Sequence, residues 1–139
     1  MFTHTQEAFG DFIVHHIKQE ATDTGFSIVP ARGGIMLDLR FQGISILDGY
    51  QTPAELDANK WGKSVLLYPF PNRLKDGAYQ WNGRSYQFPI NDQATGNALH
   101  GLGMNQPMNV KKVVTEANSG SLCCQYIDRG QHEYFPFPF

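Results

Sequence analysis

The 139 residues leave room for one globular domain with a real core, so a single domain over 1–139 is expected. Lys and Arg number 11 against 13 Asp and Glu, a net charge of -2. That balance excludes the basic footprint of a nucleic-acid binder and suits a neutral small molecule. No run approaches the ~18 apolar residues of a membrane span, and MFTHTQEAFGDFIVHH lacks a basic-then-apolar leader, so a soluble cytoplasmic protein with no membrane partner is expected.

His4 lies near a terminus expected to fray. The neighbours His15 and His16 diverge on any strand and do not face one metal easily. No cysteine or histidine spacing of a zinc module is present, and no metal site is expected.

Ile35, Leu37, Leu39 and Phe41 alternate with Met36, Asp38, Arg40 and Gln42, the period of a strand with one buried face. Gly43 leads to a second alternating run, residues 44–47, which Asp48-Gly49 closes. Thr52-Pro53-Ala54-Glu55 combines an N-cap, a proline suited to the first helical position and a glutamate three residues after the cap, predicting a short helix. Residues 64–68 form an apolar run ended by Pro69. Residues 78–81 and 85–88 flank Asn82-Gly83-Arg84, a strong hairpin signal because Asn and Gly tolerate positive φ. A second hairpin is predicted from residues 110–115 and 122–127 around Asn118-Ser119-Gly120. The chain therefore reads as all-β and antiparallel.

Adjacent strand residues point to opposite faces, so Cys123 and Cys124 are read as free thiols. At the end of the chain Phe135, Phe137 and Phe139 alternate with Pro136 and Pro138. Burying each ring is worth roughly 1.5–3 kcal/mol, so a partner surface is expected. That surface is either supplied by chain that normally follows or by the segment tucking back onto its own core.

The most distinctive segment is Leu66-Leu67-Tyr68-Pro69-Phe70-Pro71-Asn72-Arg73-Leu74, followed by Gly77, Tyr79, Trp81 and Gly83. Tyr86-Gln87-Phe88-Pro89-Ile90-Asn91 comes next and then, across a polar stretch, Asn97-Ala98-Leu99-His100-Gly101. The prolines fix a loop able to hold Asn72 and Arg73 at a strand end, and the arginine fork suits a polyhydroxylated ligand. Taken together these pieces resemble the aldose 1-epimerase family. Its members show Pro-x-x-Asn-Arg, a Gly-x-Tyr/Phe-x-x-x-Gly hairpin, Leu-Pro-x-Asn and Asn-x-Leu-His-Gly in this order. The register holds from about Gly33 to Gly101, and Ala31-Arg32-Gly33-Gly34-Ile35 is similar to the family's opening strand.

The resemblance implies a partial β-supersandwich of the galactose mutarotase type and interconversion of the α and β anomers of a free aldose, with no metal or organic cofactor. A base takes the proton of the anomeric hydroxyl while an acid protonates the ring oxygen; the ring opens, C1–C2 rotates, and closure reverses both transfers. It implies that Arg73 donates to sugar oxygens, that Asn72 shapes the loop or touches the ligand, and that His100 binds and polarises the sugar in a supporting catalytic role. The family's general acid, a second histidine, and its general base, a glutamate, lie well downstream and have no match here. His132 and Glu133 follow His100 too closely to replace them. The chain is accordingly expected to be the amino-terminal part of such a domain and inactive by itself.

Two other readings stand beside this one. One is a related epimerase acting on hexose 6-phosphates, which Arg73 alone does not distinguish. The other is a non-catalytic carbohydrate-binding or regulatory domain. Exposed sheet edges and apolar faces predict self-association, most simply as a dimer.

Overall fold

A computed structural model describes residues 1–60 and 62–139. The chain divides into two compact units, the first Met1–Leu66 with Met104–Tyr126 and the second Leu67–Gly103 with Ile127–Phe139.

The first unit is built on an antiparallel meander of β1 (Thr3–Phe9), β2 (Phe12–Gln19), β3 (Thr24–Val29), β4 (Ile35–Phe41) and β5 (Ile44–Ser45), in that spatial order. The alternation in residues 35–41 makes the expected strand. The three strands before it were not anticipated, so Ile35 begins the fourth strand rather than the first. The expected fraying of His4 is also corrected. All seven residues of β1 pair with β2, from Thr3↔Lys18 to Phe9↔Phe12, and the Phe2 N–H donates to the Glu116 carbonyl at 2.8 Å. The second alternating run pairs for only two residues, Arg40↔Ser45 and Phe41↔Ile44, after which the Ile46 N–H still reaches the Leu39 carbonyl at 2.8 Å.

The buried centre of this unit is Val14, Val29, Ile35, Tyr50 and Leu56, with Phe9, Phe12, Leu37 and Val65 packed around it. Leu56 comes from α1 (Pro53–Ala58), whose start follows the capping logic in detail. Thr52 Oγ1 accepts from the Glu55 N–H at 3.2 Å, and the Glu55 carboxylate reaches back to the Gln51 N–H at 2.8 Å. Asn59, at φ 41°, ends the helix in the left-handed conformation and accepts from the Tyr50 hydroxyl at 2.5 Å.

Ile17 is fully buried and meets the hairpin of β10 (Asn109–Thr115) and β11 (Gly120–Gln125). A Cβ on Gly120 would stand 2.4 Å from Ile17 Cγ2, so the hairpin sits this close because position 120 carries no side chain. Gln19 ties the same hairpin by donating to the Ala117 carbonyl at 2.9 Å. The second strand of the hairpin runs two residues earlier at both ends than its composition suggests. Cys123 and Cys124 are free thiols on that strand, and burial pushes the Cys124 thiol above its ordinary value, with Cys123 adding to the effect.

In the second unit, β6 (Arg73–Leu74) pairs with β9 (Ala98–Leu99), and β7 (Ala78–Trp81) pairs with β8 (Arg84–Gln87). The predicted Asn-Gly turn is present: Asn82 and Gly83 take φ of 49° and 75° between Trp81 and Arg84. Residues 64–68 form no strand; of these, Tyr68 alone makes a bridge, to Gly101.

The terminal phenylalanines find partners inside this unit. Phe137 meets Tyr86 at 5.6 Å between centroids, Phe139 meets Tyr68 at 5.3 Å, and Phe135 meets Phe88 at 6.0 Å. Asp128 and Phe139 exchange both backbone hydrogen bonds, at 2.9 and 3.1 Å. Among the described residues no helix is long and apolar enough to cross a membrane.

Candidate functional site

Two short pairings bring the motif residues together. Arg73↔Leu99 and Leu74↔Ala98 place the end of the Pro-Phe-Pro-Asn-Arg loop beside Leu99-His100-Gly101. Across this junction the Asn72 N–H donates to His100 Nδ1 at 3.1 Å, and the His100 N–H donates to the Asn72 carbonyl at 2.9 Å. A backbone N–H can only donate, so Nδ1 is an acceptor and the neutral ring carries its hydrogen on Nε2. The backbone thus decides a tautomer that composition leaves open, and presents His100 as an Nε2–H donor.

Both partners hold unusual backbone conformations. Asn72 has φ 59° and His100 φ 66°, in a region where side chains are uncommon and where Asn and His are among the more frequent occupants. Gly101 follows at φ 64° with its Cα face against the Tyr68 carbonyl; a Cβ there would lie 2.4 Å from that oxygen. The Tyr68 carbonyl also accepts from Leu102 and Gly103, at 2.7 and 3.0 Å. Tyr68 is joined to Pro69 by a cis peptide bond.

Arg73 is aimed by a residue outside the recognised motifs. Its Nε donates to Asp92 Oδ2 at 2.6 Å, with the Asp92 side chain 12% exposed and that of Arg73 48% exposed. One Nη also approaches Asn72 Oδ1 at 3.4 Å. Hydrogen bonds from Thr95 first, and from Arg73 second, hold the Asp92 carboxyl below the usual carboxylate range. The Asp92 carbonyl accepts from Gly96 and Asn97, at 2.9 and 3.2 Å, which closes the turn. Asn91 then clamps the histidine strand from both sides, accepting from the Leu99 N–H at 2.6 Å and donating to the Leu99 carbonyl at 2.9 Å. The signal for this turn lies in Asn91-Asp92 followed by Thr95-Gly96-Asn97, residues whose side chains bond to nearby backbone. Asn91 and Asn97 belong to the quoted motifs, whereas Asp92, Thr95 and Gly96 lie in the polar stretch between them.

An apolar cavity of about 270 Å³ is lined by Pro69, Phe70, Leu74, Tyr79, Phe88 and Phe135. Three of these flank Asn72 and Arg73 in the same loop. His132 is otherwise engaged: Nε2 lies 3.2 Å from the Asp128 carboxylate, and the ring stacks on Tyr134 at 5.0 Å. Among the described residues no group of three or more His, Cys, Asp or Glu side chains could hold a metal ion.

The β-rich antiparallel fold is that of galactose mutarotase-like proteins. The chain belongs to the aldose 1-epimerase family, whose model matches residues 19–139. It is 37% identical over 82 residues to the uncharacterized protein YihR of Escherichia coli (strain K12), covering 59% of this chain and 25% of that protein. In structure it is similar to a galactose mutarotase-like protein from Clostridium acetobutylicum, with a TM-score of 0.81 at 20% identity, covering 95% of this chain and 40% of that one. It is also similar to a galactose 1-epimerase from Lactobacillus acidophilus, with a TM-score of 0.71 at 12% identity, covering 92% and 39%. The chain therefore spans about a quarter of the curated relative and about two fifths of each of these structures.

Proposed function

We propose that the chain binds a free, unphosphorylated aldose at the junction of Asn72, Arg73 and His100, and that this site serves the interconversion of α and β anomers. The observation that carries the reading is the double hydrogen bond between Asn72 and His100, which holds the imidazole with Nε2–H as the available donor. That donor would bind and polarise a sugar oxygen, while the free N–H groups of Arg73 would take adjacent hydroxyls. The apolar cavity in the same loop supplies a surface for the C–H side of a pyranose, the mixture of apolar wall and few polar groups common in small-molecule sites.

A neutral sugar suits this site better than a hexose 6-phosphate. Asp92 already sits 2.6 Å from the Arg73 guanidinium and offsets its charge, which weakens the attraction for a dianion. Ring opening needs an acid and a base acting together, and the absence of one costs about 10²–10⁴-fold. His132 faces Asp128 rather than the Asn72–His100 pair, so it does not take the place of the acid. The 139-residue chain is accordingly expected to bind sugar with negligible turnover.

The test combines titration of ¹⁵N-labelled protein with D-galactose and D-glucose and polarimetry on fresh α-D-galactose. The expected result is saturable shifts at Asn72, Arg73 and His100, abolished in Arg73→Ala, with mutarotation at the buffer rate. Shifts that ignore these residues would overturn the site. A protein-dependent rate well above that of His100→Ala would overturn the expectation of inactivity.

A further inference from the structure

The histidines of the first unit form a second, unrelated arrangement. By register His15 stands opposite Gln6, and His4 stands opposite Ile17, so His4 and His15 are diagonal neighbours on one face of the β1–β2 pair. Their rings stack with centroids 5.2 Å apart and planes 23° apart, and His4 Nε2 lies 3.1 Å from His15 Nδ1. His16 points to the other face, where Nδ1 meets Ser27 Oγ at 2.7 Å and Nε2 lies 3.2 Å from the Glu7 carboxylate without hydrogen-bond alignment.

Two nitrogens bound to one tetrahedral Zn²⁺ at about 2.0–2.1 Å stand about 3.3 Å apart. The 3.1 Å separation on this hairpin is within a few tenths of an ångström of that value. We propose that His4 and His15 form a two-imidazole chelate for one divalent transition-metal ion of the class that favours nitrogen donors, Zn²⁺, Ni²⁺ or Cu²⁺. The two strands hold both ligands in place before the metal arrives, which lowers the ordering cost of binding. Gln6, opposite His15 on the same face, is placed to offer an amide oxygen, and water completes the coordination.

Starting from two neutral rings, the chemistry balances without loss of a proton. In the free pair one nitrogen donates its hydrogen to the other; on binding, that ring moves its hydrogen to its second nitrogen and both facing nitrogens become ligands. Metal ions require neutral imidazoles.

Titration of the whole chain with ZnCl₂ by calorimetry, together with ¹⁵N spectra of labelled histidines, tests the proposal. The expected result is one ion per chain, affinity at least tenfold weaker in His4→Gln and in His15→Gln, and unchanged affinity in His16→Gln. The wild-type spectra should show the metal shifting His4 Nε2 and His15 Nδ1 while His100 and His132 stay in place, a readout that does not depend on the variants folding. No saturable binding below about 1 mM, affinity kept within twofold in both variants, or shifts centred on other histidines would overturn it.

Discussion

At the scale of single residues, the candidate site depends on groups that position its other side chains. Asp92 orients Arg73 and is itself fixed by Thr95, so the direction of the arginine fork is set within the chain. The carboxyl pKa is depressed in the folded chain relative to its unfolded value of about 3.9. The unfolded state therefore takes up protons first, and the stabilisation is complete above that value and lost as pH falls through the lower folded one. Asp92→Asn should lower Tm at pH 7, with the difference from wild type closing as pH falls below about 4; melts across pH 3–7 measure it. The same substitution should weaken sugar binding by loosening Arg73. A difference that stays constant down to pH 3 would mean that the carboxylate charge contributes nothing.

At the scale of elements, the two-residue pairing of β6 with β9 is too short to hold the site alone, and backbone contacts around Gly101 complete it. Tyr68 bridges Gly101, and its carbonyl accepts from Leu102 and Gly103. Gly101→Ala combines a positive φ with a Cβ 2.4 Å from the Tyr68 carbonyl oxygen, a backbone atom. A loss of about 1–3 kcal/mol is expected from such crowding and strain, measured by urea denaturation. Because His100 precedes the glycine, its hydrogen bond from the Asn72 N–H should break and its Nδ1 signal should move. Asn82-Gly83, by contrast, meets nothing within 4 Å at the glycine, so changes there act on the turn and leave the site intact.

At the scale of the whole molecule, the short edge strand β5 leaves Phe41, Ile44 and Ile46 exposed at 55%, 68% and 62%. An apolar edge with unpaired backbone groups favours pairing with a second copy. Light scattering is expected to show a concentration-dependent dimer, and Ile44→Lys should shift it to monomer without changing the helix or hairpin signals. A monomer at every concentration in the wild-type chain would remove this edge from consideration.

The features that were legible in the sequence share a physical origin: each is written in a few consecutive residues. The alternation of residues 35–41, the Thr52-to-Glu55 cap, the Asn82-Gly83 turn and the Asn-Arg and Leu-His-Gly motifs are all of this kind, and the family follows from their order. The second strand was not legible, because β2 buries Val14 and Ile17 on opposite faces while His15, His16 and Lys18 interrupt its pattern. A strand covered on both sides loses the period of two that betrays it. Asp92 and the tautomer of His100 were hidden for another reason. Each depends on an atom contributed by a residue 19 or 28 positions away, a proximity that chain closure creates and local composition does not encode.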